Sequence, residues 1–111
     1  MNFVTVFRHV PPPIIGMIGV LHDRNFEASE ANLDWLETTG VLVERIDPAA
    51  APGEVATRPV VQQLLSAEGD VSLPIVLLDN AVVSRGRTLS RTQLARAVGS
   101  ARLRRVDAPA A

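Results

Sequence analysis

The sequence predicts an α/β domain built on a central mixed four-stranded sheet flanked by helices. Short runs dense in Val, Ile and Phe alternate with longer stretches whose apolar residues recur at helical spacing, as strands and helices do along one sheet. The 111 residues, almost half of them apolar, fit one domain that can bury a single core without disulfides or a structural metal. Leu73-Pro74 stands directly before the all-apolar run Ile75 to Leu78, which suits a central strand.

The first element, Phe3 to Phe7, is rich in β-branched and aromatic residues and reads as a buried strand ending near Arg8. Asp23 can cap a helix with Phe26, Leu33 and Leu36 near helical spacing, and Gly40 is placed to end it. Val41 to Ile46 alternates as a second strand, parallel to the first, before the Ala- and Pro-rich stretch Pro48 to Pro52. Val60, Val61, Leu64 and Leu65 predict a second helix over Arg58 to Glu68, stopped at Gly69. The strand Ile75 to Leu78 should turn through Asp79-Asn80, two residue types that tolerate positive φ, and return antiparallel over Ala81 to Arg85. Ser90 and Gln93 have capping-box spacing for a last helix to Gly99. Residues 1–99 are thus expected to form a single domain. Residues 100–111 form a tail expected to be partly helical before its disordered-looking Ala-Pro-Ala-Ala end.

Between the first strand and first helix lies Val10 to Leu21, twelve uncharged and mostly apolar residues. Its three prolines and two glycines argue against a regular helix or strand, so an apolar loop is expected. Connecting segments are normally polar, so this one should be tucked under something or meet a partner. The apolar run falls short of the roughly 20 residues of a membrane span, and no basic segment precedes a signal-like stretch. A soluble, cytoplasmic protein is expected.

The net charge of −1 conceals an asymmetry. Up to Asp79 eleven acidic residues face four arginines, whereas beyond it seven arginines face Asp107 alone. Lysine is absent, which biased genome composition would also produce in an Ala- and Val-rich chain. With no cysteine, disulfides, thiolate metal sites and thiol redox chemistry are excluded. No nucleophile elbow, paired-carboxylate pattern or Gly-rich phosphate loop is present, and Gly16-Met17-Ile18-Gly19 lacks the context of a dinucleotide fingerprint.

The order β-α-β-α-β-β-α, with a proline immediately before the third strand, is that of the thioredoxin-like fold. Phe7, Gly16 and Gly19 around the loop, Asp34-Trp35-Leu36, Gly40-Val41, Glu44-Arg45, Leu73-Pro74, Leu77-Leu78-Asp79, Gly86-Arg87 and Leu94-Ala95 together resemble the ArsD family of arsenical-resistance proteins. The resemblance covers nearly all of residues 1–99. It implies a non-enzymatic domain that binds trivalent arsenic or antimony and passes it to the ATPase of an arsenite efflux pump. It also implies a weak trans-acting repressor acting on its own operator DNA, with no cofactor. In the family a cysteine pair and a third cysteine in the loop after the first strand hold the metalloid, since soft thiolates suit a thiophilic ion. The matching positions are Pro12, Pro13 and Ile18, so no metal site of that kind is expected. The stiff apolar surface of Pro11, Pro12, Pro13, Ile14, Ile15, Met17 and Ile18 is expected to contact a protein partner instead.

His9, His22 and Met17 lie in or beside the loop, but neither histidine belongs to a recognisable ligand pair, and a lone histidine is commonly a surface or hydrogen-bonded residue. Pro74 matches the proline that is cis in the thioredoxin fold, where it serves as a folding device or shapes a docking surface. Trp35 is expected in or beside the core. Arg85, Arg87, Arg91 and Arg96 are candidate contacts for an anion or DNA, weighed against a solvated cationic face that offsets the acidic helices. Two functional readings follow: an ArsD-like regulatory or binding protein without thiolate sensing, or a thioredoxin-fold domain with no role in arsenic handling, either an adaptor whose apolar loop packs against a partner or a structural domain that self-associates as a homodimer.

Overall fold

The computed structural model describes residues 3–11, 14–16, 19–21 and 24–107. Strand β1 (Phe3–Phe7) is followed by the short strands β2 (Ile14–Gly16) and β3 (Gly19–Leu21), then helix α1 (Arg24–Thr38) and strand β4 (Leu42–Ile46). Helices α2 (Pro52–Ala56) and α3 (Pro59–Glu68) lead through a 3-10 turn, Gly69–Ser72, to β5 (Ile75–Leu78), β6 (Ala81–Arg85) and α4 (Arg91–Asp107).

The main sheet has the order β4-β1-β5-β6. β1 runs parallel to β4, with Phe3 opposite Leu42 and Phe7 opposite Ile46, and antiparallel to β5, while β5 and β6 form the expected hairpin. The sheet is therefore mixed and four-stranded, and β5 is central and fully buried, as its unbroken apolar sequence requires.

Alternation along the strands divides the core between two faces. Val4, Val6, Val76 and Leu78 pack with Leu33 and Leu36 of α1 and Leu94 and Val98 of α4, with Trp35 partly buried beside them. On the other face Phe7, Ile46, Ile75 and Leu77 meet Val61 of α3, with Leu64, Leu65 and Val55 at the margin. Each fully buried side chain of this kind is worth about 1.5–3 kcal/mol relative to exposure, so the two helix layers and the sheet hold one another in place.

Local signals act where expected. Gly40 ends α1 at φ +92°, after Thr39 and Gly40 donate N–H bonds to the Leu36 and Glu37 carbonyls. Asp79 and Asn80 turn the hairpin at φ 49° and 71°. Ser90 and Gln93 close the capping box reciprocally: Gln93 N–H donates to Ser90 Oγ at 3.2 Å, and Ser90 N–H to Gln93 Oε1 at 2.9 Å. The Leu73-Pro74 peptide is cis.

The structure corrects one expectation and adds four short elements: β2, β3, α2 and the 3-10 turn. Val10 to Leu21 is not irregular throughout, because β2 and β3 pair antiparallel, with Ile14 opposite Leu21 and Ile15 opposite Val20. The prolines all precede β2 and remove no ladder donor, while Gly16 and Gly19 form the final opposed pair instead of interrupting a strand. Pro52 and Pro59 each open a helix at its first position, where a missing N–H costs nothing, so α2 forms between the end of the Ala- and Pro-rich stretch and α3, where no element is expected from the sequence. α3 ends at Glu68 with Gly69 as its C-cap at φ +66°, as expected, and a separate 3-10 turn follows over Gly69–Ser72. α4 passes through Gly99 and runs to Asp107. The capping role of Asp23 lies outside the described residues.

Candidate functional site

The surface of interest forms where β1 ends and the chain leaves the sheet. Phe7 is fully buried and fixes the strand end, so Arg8, His9 and Val10 emerge at a defined point beside the cis peptide before Pro74. A cleft of about 290 Å³ opens there, lined by Arg8, His9, Pro11, Asn25, Phe26 and Pro74. Ser29, Leu73 and Thr88 complete its lining.

Two polar clasps hold the emerging chain. Arg8 reaches α1: its guanidinium donates to Glu30 at 2.7 Å and lies 5.5 Å from the centre of the Phe26 ring. His9 reaches the opposite way, placing Nδ1 3.1 Å from Asp47 and Nε2 3.2 Å from Asp70. Carboxylates only accept, so holding both contacts at once needs a proton on each ring nitrogen. Hydrogen bonds to Asp70 and then Asp47 accordingly raise the His9 pKa above its ordinary value. The Asp47 carboxylate also accepts N–H bonds from Val10 at 3.1 Å and Ala49 at 2.9 Å. Those two N–H groups, with His9 between them in weight, lower its pKa to about 2.

Of the residues singled out from sequence for partner contact, Pro11 lines the cleft, and Ile14 and Ile15 belong to the β2 backbone. Pro12, Pro13, Met17 and Ile18 lie outside the described residues, as does His22. Pro74 is in the cleft wall, and Trp35 is partly buried on the α1 face. Arg8, His9, Asn25, Phe26, Ser29 and Thr88 were not expected as lining. Arg8-His9 directly after an apolar strand was the available signal, since a strand end carries its first polar residues to the rim of the sheet.

The candidate arginines are not brought together. Arg85, opposite Ile75, pairs with Glu68 at the end of α3. Arg91 lies on the other side of the sheet, donating to Asn32 at 3.0 Å with its guanidinium 5.6 Å from the Trp35 ring centre. Arg87 and Arg96 are exposed and make no ion pair among the described residues.

The chain contains no cysteine. Among the described residues no three His, Asp or Glu side chains form a metal-holding group. His9, Asp47 and Asp70 do not make one, because each carboxylate takes a different ring nitrogen and the three share no common point. No described helix is long and apolar enough to cross a membrane.

The model of the family described as "Arsenical resistance operon protein ArsD" matches residues 1–110. Two Escherichia coli proteins, each named arsenical resistance operon trans-acting repressor ArsD, are similar to this chain. One is 32% identical over 99 residues, covering 89% of this chain and 82% of the relative. The other is 32% identical over 84 residues, covering 76% and 70%. The crystal structure of an arsenical resistance operon trans-acting repressor from Bacteroides vulgatus ATCC 8482 superposes with a TM-score of 0.69. It covers 86% of this chain and 91% of the other at 19% identity, a likeness of fold. With the family model spanning almost the whole sequence, this chain belongs to the ArsD family.

Proposed function

We propose that this protein is a non-enzymatic regulatory and binding member of an arsenical-resistance system that works without capturing the metalloid on thiolates. The observation that carries this reading is the absence of cysteine from a chain of the ArsD family. Trivalent arsenic is thiophilic, and oxygen and imidazole donors are poor substitutes for soft sulfur ligands. Proline and isoleucine at positions 12, 13 and 18 supply no ligand atom at all.

What remains is a surface for macromolecules. The Arg8 and His9 clasps hold the base of the apolar segment, and the cleft beside Pro74 offers apolar walls with charged edges. The partner proposed for this face is the ATPase of an arsenite pump. Operator DNA is the proposed regulatory partner, contacted through Arg87 and Arg96, which are free of ion pairs among the described residues.

Calorimetric titration of the purified protein, separately with trivalent arsenic and with the ATPase, tests the reading. No stoichiometric arsenic uptake at micromolar concentration and saturable heat with the ATPase are expected. Tight arsenic binding, or no interaction with the ATPase, would overturn the corresponding half of the proposal.

A further inference from the structure

The two outer strands of the sheet differ in how they meet solvent. β6 pairs with β5 through a register shift between Val76 and Leu77 that leaves Val83 without an opposite residue, and bulged edges resist the addition of another strand. β4 has an unbroken five-residue register against β1 and contains no proline. Arg8 N–H donates to the Ile46 carbonyl at 3.0 Å, which fixes the phase of β4. Leu42, Glu44 and Ile46 turn their backbone groups toward β1, so Val43 and Arg45 turn theirs to the free edge.

Beside this edge the surface is apolar. Leu42 is 58% exposed and Val60, in the first turn of α3, 52%. A hollow of about 400 Å³ runs along Leu42, Val43 and Glu44 to Arg58 and Asn80. A second, of about 320 Å³, continues from Arg58 and Asn80 to Pro59 and Val60. The rim is acidic. On the α1 face Arg45 is held by Asp34 and Glu37, each at 2.7 Å, and by Glu30 at 3.4 Å. On the α3 face Arg58 is held by Glu44 at 3.0 Å and Glu54 at 2.9 Å. Five carboxylates thus face Arg45, Arg58 and Arg8, which shares Glu30.

We propose that the free edge of β4 is a docking site for a basic, extended segment of a partner protein, which joins the sheet as a fifth strand. Main-chain bonds to Val43 and Arg45 supply the attachment. Alternate side chains of the segment point to opposite faces: apolar ones cover Leu42 and Val60, and arginine or lysine on the other face meets Asp34 and Glu37. The surplus of carboxylates selects cationic over acidic segments. This inference stands apart from the arsenical reading, since the edge lies outside the cleft beside Pro74.

The probe is the peptide acetyl-Arg-Val-Arg-Val-Arg-Val-amide, titrated into the full-length protein under NMR, with the same peptide carrying Glu for Arg as its counterpart. Binding of the basic peptide should slow amide exchange at Val43 and Arg45 by about tenfold or more, while Leu42, Glu44 and Ile46, already bonded to β1, change little. The acidic peptide should bind at least about tenfold more weakly, and the difference should shrink with added salt. Leu42→Lys, which removes the apolar contact and repels a cationic segment, should weaken binding of the basic peptide while leaving the circular dichroism spectrum unchanged. Unaltered exchange at Val43 and Arg45 with millimolar basic peptide, or equal binding of both peptides, would overturn the proposal. So would concentration-dependent protection of those two amides in the protein alone, which would assign the edge to a second copy of the chain.

Discussion

Gly86 holds a position where both conformation and space favour the absence of a side chain. Its φ is +74°, and its N–H donates to two carbonyls, Ser72 at 2.7 Å and Pro74 at 3.1 Å. A methyl group there would stand 3.1 Å from the Val71 carbonyl oxygen. Replacing Gly86 by alanine incurs about 1 kcal/mol or more for the left-handed backbone, and a further ~1 kcal/mol is expected from the tight contact with a backbone oxygen. Val71 cannot withdraw freely, since Ser72, the next residue, is tied to Gly86 itself and is 2% exposed. The loss of unfolded-state freedom returns about 0.4–1 kcal/mol, leaving Gly86→Ala destabilised by roughly 1–2 kcal/mol. An unfolding entropy of about 2.1 cal/mol/K per residue gives ~0.23 kcal/mol/K for a chain of this length, so Tm should fall by about 4–9 °C. Gly40→Ala isolates the conformational part, because its φ is +92° and nothing lies within 4 Å of the added methyl. Differential scanning calorimetry on both variants should show the larger drop for Gly86→Ala. Equal shifts would refute the steric half of the reasoning, and no shift in either would refute both halves.

Three further outcomes follow from separate features. The Thr5 hydroxyl is fully buried with no hydrogen-bond partner among the described residues, so Thr5→Val should raise stability in urea by about 1 kcal/mol; a loss of stability would reveal a bond to that hydroxyl. His9 has its pKa raised from 6.5, so its contribution to stability is complete below pH 6.5 and is lost as pH rises through the folded-state value. Asp47, lowered from 3.8 to about 2, contributes above pH 3.8 and loses that contribution as pH falls through about 2. NMR titration should find the His9 midpoint above 6.5 and lower in Asp70→Asn, and an unmoved midpoint would remove Asp70 as its main cause. If Arg87 and Arg96 each neutralise one phosphate, changing both to alanine should make the slope of log K against log salt for operator DNA less steep by about 2, whereas an unchanged slope in a filter-binding assay would place the contacts elsewhere.

Much of the fold was legible because the signals were local and unopposed. Ile75 to Leu78 could only be buried on both faces, Asp79-Asn80 could only turn, and Ser90 with Gln93 announced a helix start that the structure closes with two hydrogen bonds. Prolines were harder. Pro52 and Pro59 break a helix in its interior but begin one at its first position, and the sequence alone does not say which side of the residue the helix lies on. The same ambiguity concealed the β2–β3 pairing, where Pro11 to Pro13 precede the ladder. The cleft was legible only at Pro11 and Pro74. Arg8 meets Glu30 across 22 positions, and His9 meets Asp70 across 61, partnerships that exist only after the sheet has formed. The arginines show the converse: Arg85 and Arg91, close in sequence, go to opposite sides of the sheet because a hairpin strand and the following helix separate them.

Glu30 ties together two regions of the surface that otherwise share nothing. One of its oxygens is 2.7 Å from Arg8, at the mouth of the cleft, and 3.4 Å from Arg45, beside the open edge of the sheet. A single carboxylate divided between two cations makes their energies non-additive. Drawing Arg45 away leaves more of the negative charge to Arg8, and displacing Arg8 leaves more to Arg45. A ligand that displaced either arginine would therefore change the charge left to the other, by the same free energy in both directions and with no movement of the backbone required.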